Sequence, residues 1–415
     1  MGIGRKQVAP AQHSMCVCPD QASLQPQPKI SGNGCPCRCC GAAPPDITVA
    51  NMKKHGNEQT RWVQTADGRI IEYYVYGATD DWERVLVQLN GSMGSAKFFS
   101  EMVSMTSVLK EKKVKAVSVN LPGHGFTSGE PNRRMGDFAK SCVEPVLMAE
   151  KLMVDAGGAS VPLMVEGSSF GSAHANSVMW YFQDRITHVH LHVPALSQDI
   201  AKELGLKPIS EGCKCDGDLV TTCFLAPKQW MTCLPCCCAN SPMLFCCCSC
   251  MAPLAPGGAD GLNKLPGYAE IAEAHPQMAE KQFQASEVMK NHSIAHTLAN
   301  GAHGMIYNSL LGQLYRSWGF HPFDDIPVAK VERMKMMVSY GIKDPSSPES
   351  HGEYMAEYYS KICNKGGQMF KNVAPEEVEG NEKGGKCLVN HREGGHEAHF
   401  IPFCKGELLR KLLEL

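Results

Sequence analysis

Gly167-Ser168-Ser169-Phe170-Gly171 sets a serine hydroxyl between two glycines. A hydroxyl is a poor nucleophile at neutral pH. It needs a base to take its proton, a carboxylate to orient that base, and donors for the oxyanion that forms. The flanks suit such a role: 163–165 is a short apolar run that reads as a buried strand, and 172–183 follows a helical pattern. G-x-S-x-G between a strand and a helix makes a sharp turn that lifts the serine Oγ out of the sheet and aims the first helix amides at it. A side chain at Gly167 or Gly171 would crowd that turn. Partners follow in the expected order for a leading nucleophile elbow, serine, then acid, then histidine. Asp344 lies just past a strand end in Gly341-Ile-Lys-Asp-Pro345. His396 lies past the last strand, behind Gly394 and Gly395, whose lack of side chains lets the loop approach the serine. The oxyanion donors expected are the backbone amides of Phe170 and Ser92, with Met93 the alternative to Ser92.

Each residue has a plainer rival. Aspartate before proline is also a turn former, and Asp199 is the second candidate acid. His391 and His399 compete with His396. His124, in Pro122-Gly-His-Gly125, is expected to be structural. His292, His296 and His303 suit either a pocket lining or surface helix positions.

The elements that must position these residues alternate. A hairpin over 61–65 and 70–76 turns at Asp67-Gly68. Strands are expected at 85–89, 114–119, 163–165, 186–193, 334–340 and 386–390, and helices over 96–111, 135–156, 172–183, 350–363 and from 405 onward. The strands look apolar on both faces, which predicts an α/β fold with a mostly parallel central sheet flanked by helices. Ligands of such sheets sit at the carboxyl ends of the strands, where the glycine-rich loops fall. The alternation stops between 197 and 327, which is expected to be an inserted helical cap. The divisions are therefore a disordered Cys/Pro/Gly-rich arm over 1–58, core over 59–196, cap over 197–327, and core again over 328–415.

Asn90-Gly-Ser-Met-Gly-Ser95, Leu121-Pro-Gly-His-Gly-Phe-Thr-Ser128, Gly167-Ser-Ser-Phe-Gly171, Tyr340-Gly-Ile-Lys-Asp344 and Gly394-Gly-His-Glu-Ala-His399 together resemble the α/β-hydrolase fold superfamily. So do Trp318-Gly-Phe320 and Asp325-Ile-Pro327, which look like that family's cap exit. By that resemblance Ser169 is the nucleophile, Asp344 the acid and His396 the base, and the function implied is hydrolysis of an ester, thioester or related carbonyl substrate. Asn90 departs from the family's usual His-Gly, which changes the hydrogen bonding of the oxyanion loop but not its backbone donor. The different-class alternative is a catalytically silent protein that keeps the fold and serves as a binding protein or as an interaction protein tethered to a membrane through acylated cysteines.

Composition narrows the rest. The chain has 415 residues, 40 basic against 42 acidic, for a net charge of −2. That balance gives no footprint for nucleic acid. No run of 18 apolar residues suggests a membrane span, and the first residues lack a signal-peptide core and the myristoylation pattern. No cofactor and no metal are expected, the partner is a small acyl substrate, and oligomeric state is left open. Of 21 cysteines, six fall in the first 40 residues and eleven between Cys213 and Cys250. That clustering, outside the periodic segments, points to a reducing, cytoplasmic setting rather than a disulfide scaffold. The segment 231–259 carries no charge, and Pro235, Pro242, Pro253 and Pro256 argue against one spanning helix. Acylation with peripheral membrane contact, thiolate binding of a soft metal, and an unstructured insertion are its competing readings.

Overall fold

The computed structural model describes residues 47–91, 94–129, 134–153, 161–207, 296, 318–341, 349–363, 369–371, 386–392 and 402–414. Among them nine strands form one sheet: β1 (Thr60–Gln64), β2 (Ile70–Gly77), β3 (Arg84–Leu89), β4 (Val114–Val119), β5 (Leu163–Ser168), β6 (Ile186–His192), β7 (Lys335–Gly341), β8 (Met369–Lys371) and β9 (Lys386–Arg392). Their order is β1-β2-β4-β3-β5-β6-β7-β9-β8. β2 is antiparallel to β1 and β4, and every other pairing is parallel. The expected mostly parallel sheet is therefore present. Chain order reverses between β3 and β5, with Leu89 opposite Gly167, so the loops leaving these two strands meet at a switch point.

Two layers of helices cover the sheet. One face packs against α4 (Glu144–Ala149), α5 (Phe170–Tyr181) and α8 (Glu349–Cys363) through Val87, Val165, Leu191 and Val338. The other packs against α2 (Ala96–Ser100), α3 (Val103–Glu111) and α9 (Pro402–Glu414) through Tyr74, Leu86, Met164 and Met337. Full burial of one such aliphatic side chain contributes about 1.5–3 kcal/mol. On this second face, however, the period-2 positions also carry Glu72, Gln88, Ser118, Glu166, Ser168, His188, His190, His192 and Ser339, all buried. The strands are thus apolar on one face only.

Other boundaries differ for identifiable reasons. The arm expected over 1–58 gives way to structure from Ile47, because α1 (Val49–His55) is capped by the Thr48 hydroxyl and buries Met52 against Ile70 and Phe126. The helix expected over 96–111 is two, α2 and α3, because the chain extends at Met102 to bury that side chain. The helix expected from 135 starts as a 3₁₀ turn, Met135–Asp137, and a π-helical turn, Ala139–Val143, before α4. Pro145 at the start of α4 has no N–H for a regular bond back to Ser141, and the wider turn accommodates that. β8 lies between the helix expected over 350–363 and the strand expected over 386–390, where no strand is expected from the sequence. Two short helices mark the limits of the expected insertion, α6 (Gln198–Glu203) at its start and α7 (Val328–Val331) just past its end. Of the expected helical cap only 197–207, His296 and 318–327 are among the described residues, and both cysteine-rich segments lie outside them.

Candidate active site

Ser169 sits between the end of β5 and the start of α5 with φ 56° and ψ −126°. That region is adopted almost only by glycine, and holding a serine there costs about 1–3 kcal/mol. The surroundings enforce it. The Ser169 amide donates to His192 O at 2.8 Å, and the Ser169 carbonyl accepts from the Ser172 amide at 2.9 Å and from Ser172 Oγ at 2.5 Å. Ser172 Oγ in turn accepts from Ala195 N at 3.2 Å, which ties the chain beyond β6 to the turn. Ser172 is a support that G-x-S-x-G does not announce; only its place one turn into α5 hints at it.

Both motif glycines are required by close approach. A Cβ on Gly167 would lie 2.2 Å from Gly171 O, and one on Gly171 would lie 2.4 Å from Leu89 O and 2.5 Å from Asn90 O. The first turn of α5 therefore lies directly against the end of β3. Phe170 is its first residue, so its amide is among those without a partner inside the helix, at the positive end of a 12-residue dipole. An amide so placed can donate to negative charge developing beside Ser169.

The loop leaving β3 is the other wall. A Cβ on Gly91 would lie 3.0 Å from Ser169 Cβ and 3.5 Å from Ser169 Oγ. Gly94 N donates to Gly91 O at 3.0 Å, and Gly94 O accepts from His124 Nδ1 at 3.0 Å. A carbonyl only accepts, so that bond fixes the proton on Nδ1 and gives His124, fully buried, the structural part expected of it. Asn90 is buried too, with no hydrogen-bond partner for its Nδ2 among the described residues.

Of the residues the sequence singles out, Ser169 and Phe170 come together at one turn. Ser92, Met93, Asp344, His396 and His399 lie outside the described residues, as do His292 and His303. Asp199 is exposed on the first turn of α6. His391 is inside β9, opposite Tyr340, rather than on a loop. His296 is neither a surface residue nor free: its Nε2 lies 3.0 Å from Glu72 Oε2. Glu203, His321 and Asp324 bring one ligand atom each within 4.8 Å, with His321 Nδ1 2.9 Å from Asp324 Oδ2, and exposed acidic groups such as these commonly gather without a metal.

Beneath the turn runs a chain of buried polar groups. Tyr76 OH donates to Gln88 Oε1, and Gln88 Nε2 donates to Glu166 Oε2 at 2.6 Å. Glu166 Oε1 lies 3.5 Å from His190 Nδ1, and His190 Nε2 meets Ser339 Oγ at 3.0 Å. His192 stacks on His190 with centroids 5.0 Å apart and bonds Ser168 Oγ through Nδ1 at 3.2 Å. Burial first, then the Glu166 charge, pushes the Tyr76 phenol well above its ordinary value, so it stays a donor.

Solved structures are similar to the chain over most of its length. A hydrolase from Pseudomonas aeruginosa PA01 has a TM-score of 0.50 at 13% identity, over 87% of this chain and 100% of its own. An esterase from Exiguobacterium antarcticum has a TM-score of 0.49 at 15% identity, over 85% and 99%. The enol-lactonase from Burkholderia xenovorans LB400 has a TM-score of 0.47 at 12% identity, over 84% and 96%. At such identities the likeness speaks to the fold alone. No family model and no curated protein matches the sequence. With the strand order and the strained serine turn, the chain has the α/β-hydrolase fold. Among the described residues no helix is long and apolar enough to cross a membrane.

Proposed function

We propose that this chain is a serine hydrolase acting on an ester, thioester or related carbonyl substrate through an acyl-enzyme on Ser169. The observation that carries the reading is the backbone of Ser169, held at φ 56° between two glycines that admit no side chain. A fold does not name an activity. Strain concentrated at one hydroxyl, at the amino end of a helix and beside a glycine-rich loop, supports one. In this reading His396, oriented by Asp344, takes the Ser169 proton as Oγ attacks the carbonyl carbon. The amides of Phe170 and Ser92 hold the resulting oxyanion. The carbonyl–heteroatom bond then breaks, with the proton passing from His396 to the leaving group. Water, deprotonated by His396, attacks the acyl carbon and releases the acid and the free serine.

The test is labelling of the purified chain with a fluorophosphonate, beside Ser169→Ala and His396→Ala. Labelling of the parent chain and loss of signal in Ser169→Ala, with a drop on the order of a thousandfold or more in His396→Ala, is the expected result. A folded parent chain that stays unlabelled overturns the reading. A positive result is followed by a panel of esters of graded acyl length, which reads out acyl preference.

A further inference from the structure

The Glu72 carboxylate, on β2, is fully buried and is the hub of a second polar cluster. Oε1 accepts from Tyr74 OH at 3.0 Å, and Oε2 accepts from Asn120 Nδ2 at 2.7 Å and from Phe126 N at 2.9 Å. His296 Nε2 lies 3.1 Å and 3.0 Å from the two oxygens. An ionised carboxylate only accepts, so the His296 Nε2 must carry a proton there. His296 is itself buried, edge-on to Tyr74 and Phe126 with centroids 6.0 Å and 5.8 Å away. Burial drives the Glu72 carboxyl up, but His296 and the Phe126 and Tyr74 donors outweigh it and leave it below its ordinary value.

Two routes lead from this hub to the loop beside Ser169. In the first, Asn120 bonds Glu72 through Nδ2 and accepts the Ala96 amide on Oδ1 at 2.7 Å. Ala96 opens α2, immediately after the loop, where Ser95 caps the helix through its side chain. In the second, the turn 121–128 is pinned to β2 by Phe126 N on Glu72, by Glu72 N on Thr127 Oγ1 at 3.0 Å and by Ser128 N on Ile70 O at 2.8 Å. That turn holds Gly94 O through His124. Gly125, at φ 52°, closes over the hub: a Cβ there would lie 2.5 Å from Glu72 Oε2 and 2.8 Å from His296 Nε2. The loop's far end and its Gly94 carbonyl are thus both fixed by groups that Glu72 holds. Glu72 holds them only while its charge is compensated, because a buried carboxylate stripped of a partner rearranges or neutralises.

We propose that Glu72 and His296 are positioning residues for the oxyanion loop, with His296 the contribution of the 197–327 insertion to the geometry of the site. This rests on the reading of Ser169 as the nucleophile. It makes the insertion part of the catalytic apparatus rather than only a cover over it. The histidine touches no reacting atom. It acts through Glu72, Asn120 and His124 on where the loop amide sits.

The experiment compares the full chain with His296→Ala, His296→Gln and Glu72→Gln in three measurements: fluorophosphonate labelling rate, kcat and KM on a p-nitrophenyl ester, and amide hydrogen exchange over residues 90–96. Misplacing an oxyanion donor by a fraction of an ångström lowers kcat while leaving KM alone, so His296→Ala is expected to slow labelling and kcat about tenfold with KM within about twofold. Exchange over 90–96 is expected to quicken in the same variant. His296→Gln, which keeps an N–H donor, is expected to regain most of the rate, and Glu72→Gln to resemble His296→Ala. An alanine variant with parental kcat and parental exchange overturns the proposal, and so does glutamine that rescues nothing while the protein remains folded. Should His296→Ala fail to fold, Glu72→Gln and His296→Gln decide by the same measurements. Should the parent chain fail to label, the hydrolase reading falls on its own, and exchange over 90–96 still decides whether His296 holds the loop.

Discussion

On the face covered by α4, α5 and α8 the strands present Ile71, Val87, Val165, Leu191 and Val338. On the face covered by α2, α3 and α9 the same strands present Glu72, Gln88, Glu166, His190 and Ser339, equally shut from water. Apolar packing is non-directional: it supplies stability and tolerates small slides. Hydrogen bonds between buried groups are directional and fix one arrangement, at the cost of leaving polar atoms stranded when a partner is lost. The chain from Tyr76 through Gln88, Glu166 and His190 to Ser339 takes its residues from β2, β3, β5, β6 and β7 and passes over β4. The ends of β3, β5 and β6 bear the glycine-rich loop, Ser169 and the segment tied to Ser172. The apolar face therefore holds the molecule together, and the polar face sets how the strands beneath the serine lie relative to one another.

The comparison is sharpened most by truncation on the dry face. Phe138 is fully buried and packs edge-on against His174 of α5, with centroids 4.4 Å apart. Phe138→Ala is expected to cost about 3–5 kcal/mol in urea unfolding. On the polar face the expected loss is comparable but non-additive. Glu166→Leu strands Gln88 and His190 and is expected to cost about 3 kcal/mol, whereas Glu166→Leu with His190→Leu is expected to cost well under the sum of the two single changes. Simple additivity would break the idea that these groups act as one network. The smallest effect is in pH. Burial lowers His188, on the polar face, to about 3, and His351, on α8, to about 4. His351 stays neutral while it accepts from Leu196 N at 3.2 Å and donates to Lys207 O at 2.8 Å. Both folded values lie below the unfolded value near 6.5, so the unfolded chain binds more protons. Stability is then complete above about pH 6.5 and falls as the pH drops toward the folded values, by about 1.4 kcal/mol per histidine at pH 5.5. Unfolding free energies at pH 7.5 and 5.5 for the parent, His188→Leu and His351→Gln check this. A difference that neither variant reduces would assign the acid sensitivity elsewhere.

What the sequence made legible follows from these two chemistries. The alternation of strands with helices, the elbow at Ser169 and the glycines around it are local patterns, and the structure keeps them in place. The polar face was not legible. Ile186-Thr-His-Val-His-Leu-His192 alternates in the way a half-exposed strand does, and spacing tells which side a residue faces but not whether water reaches it. Glu72, flanked by Ile71 and Tyr73, hides for the same reason. α1 escaped because seven residues have little helical preference of their own, and its stability comes from Met52 packing against residues distant in sequence. His296 could not be assigned because its partner lies 224 positions away, beyond any local pattern.

The placement of α9 has a consequence for how the chain is made. Leu408, Leu409, Leu412 and Leu413 cover Met164 and Met337 on the polar face. Translation runs at about 5–20 residues per second, so some 250 residues separate the emergence of β5 from that of α9, a delay of roughly 13–50 s. For that interval Met164 lacks its α9 cover, although α2 and α3 are already made, and Met337 lacks it only while the last stretch between β7 and α9 is synthesised.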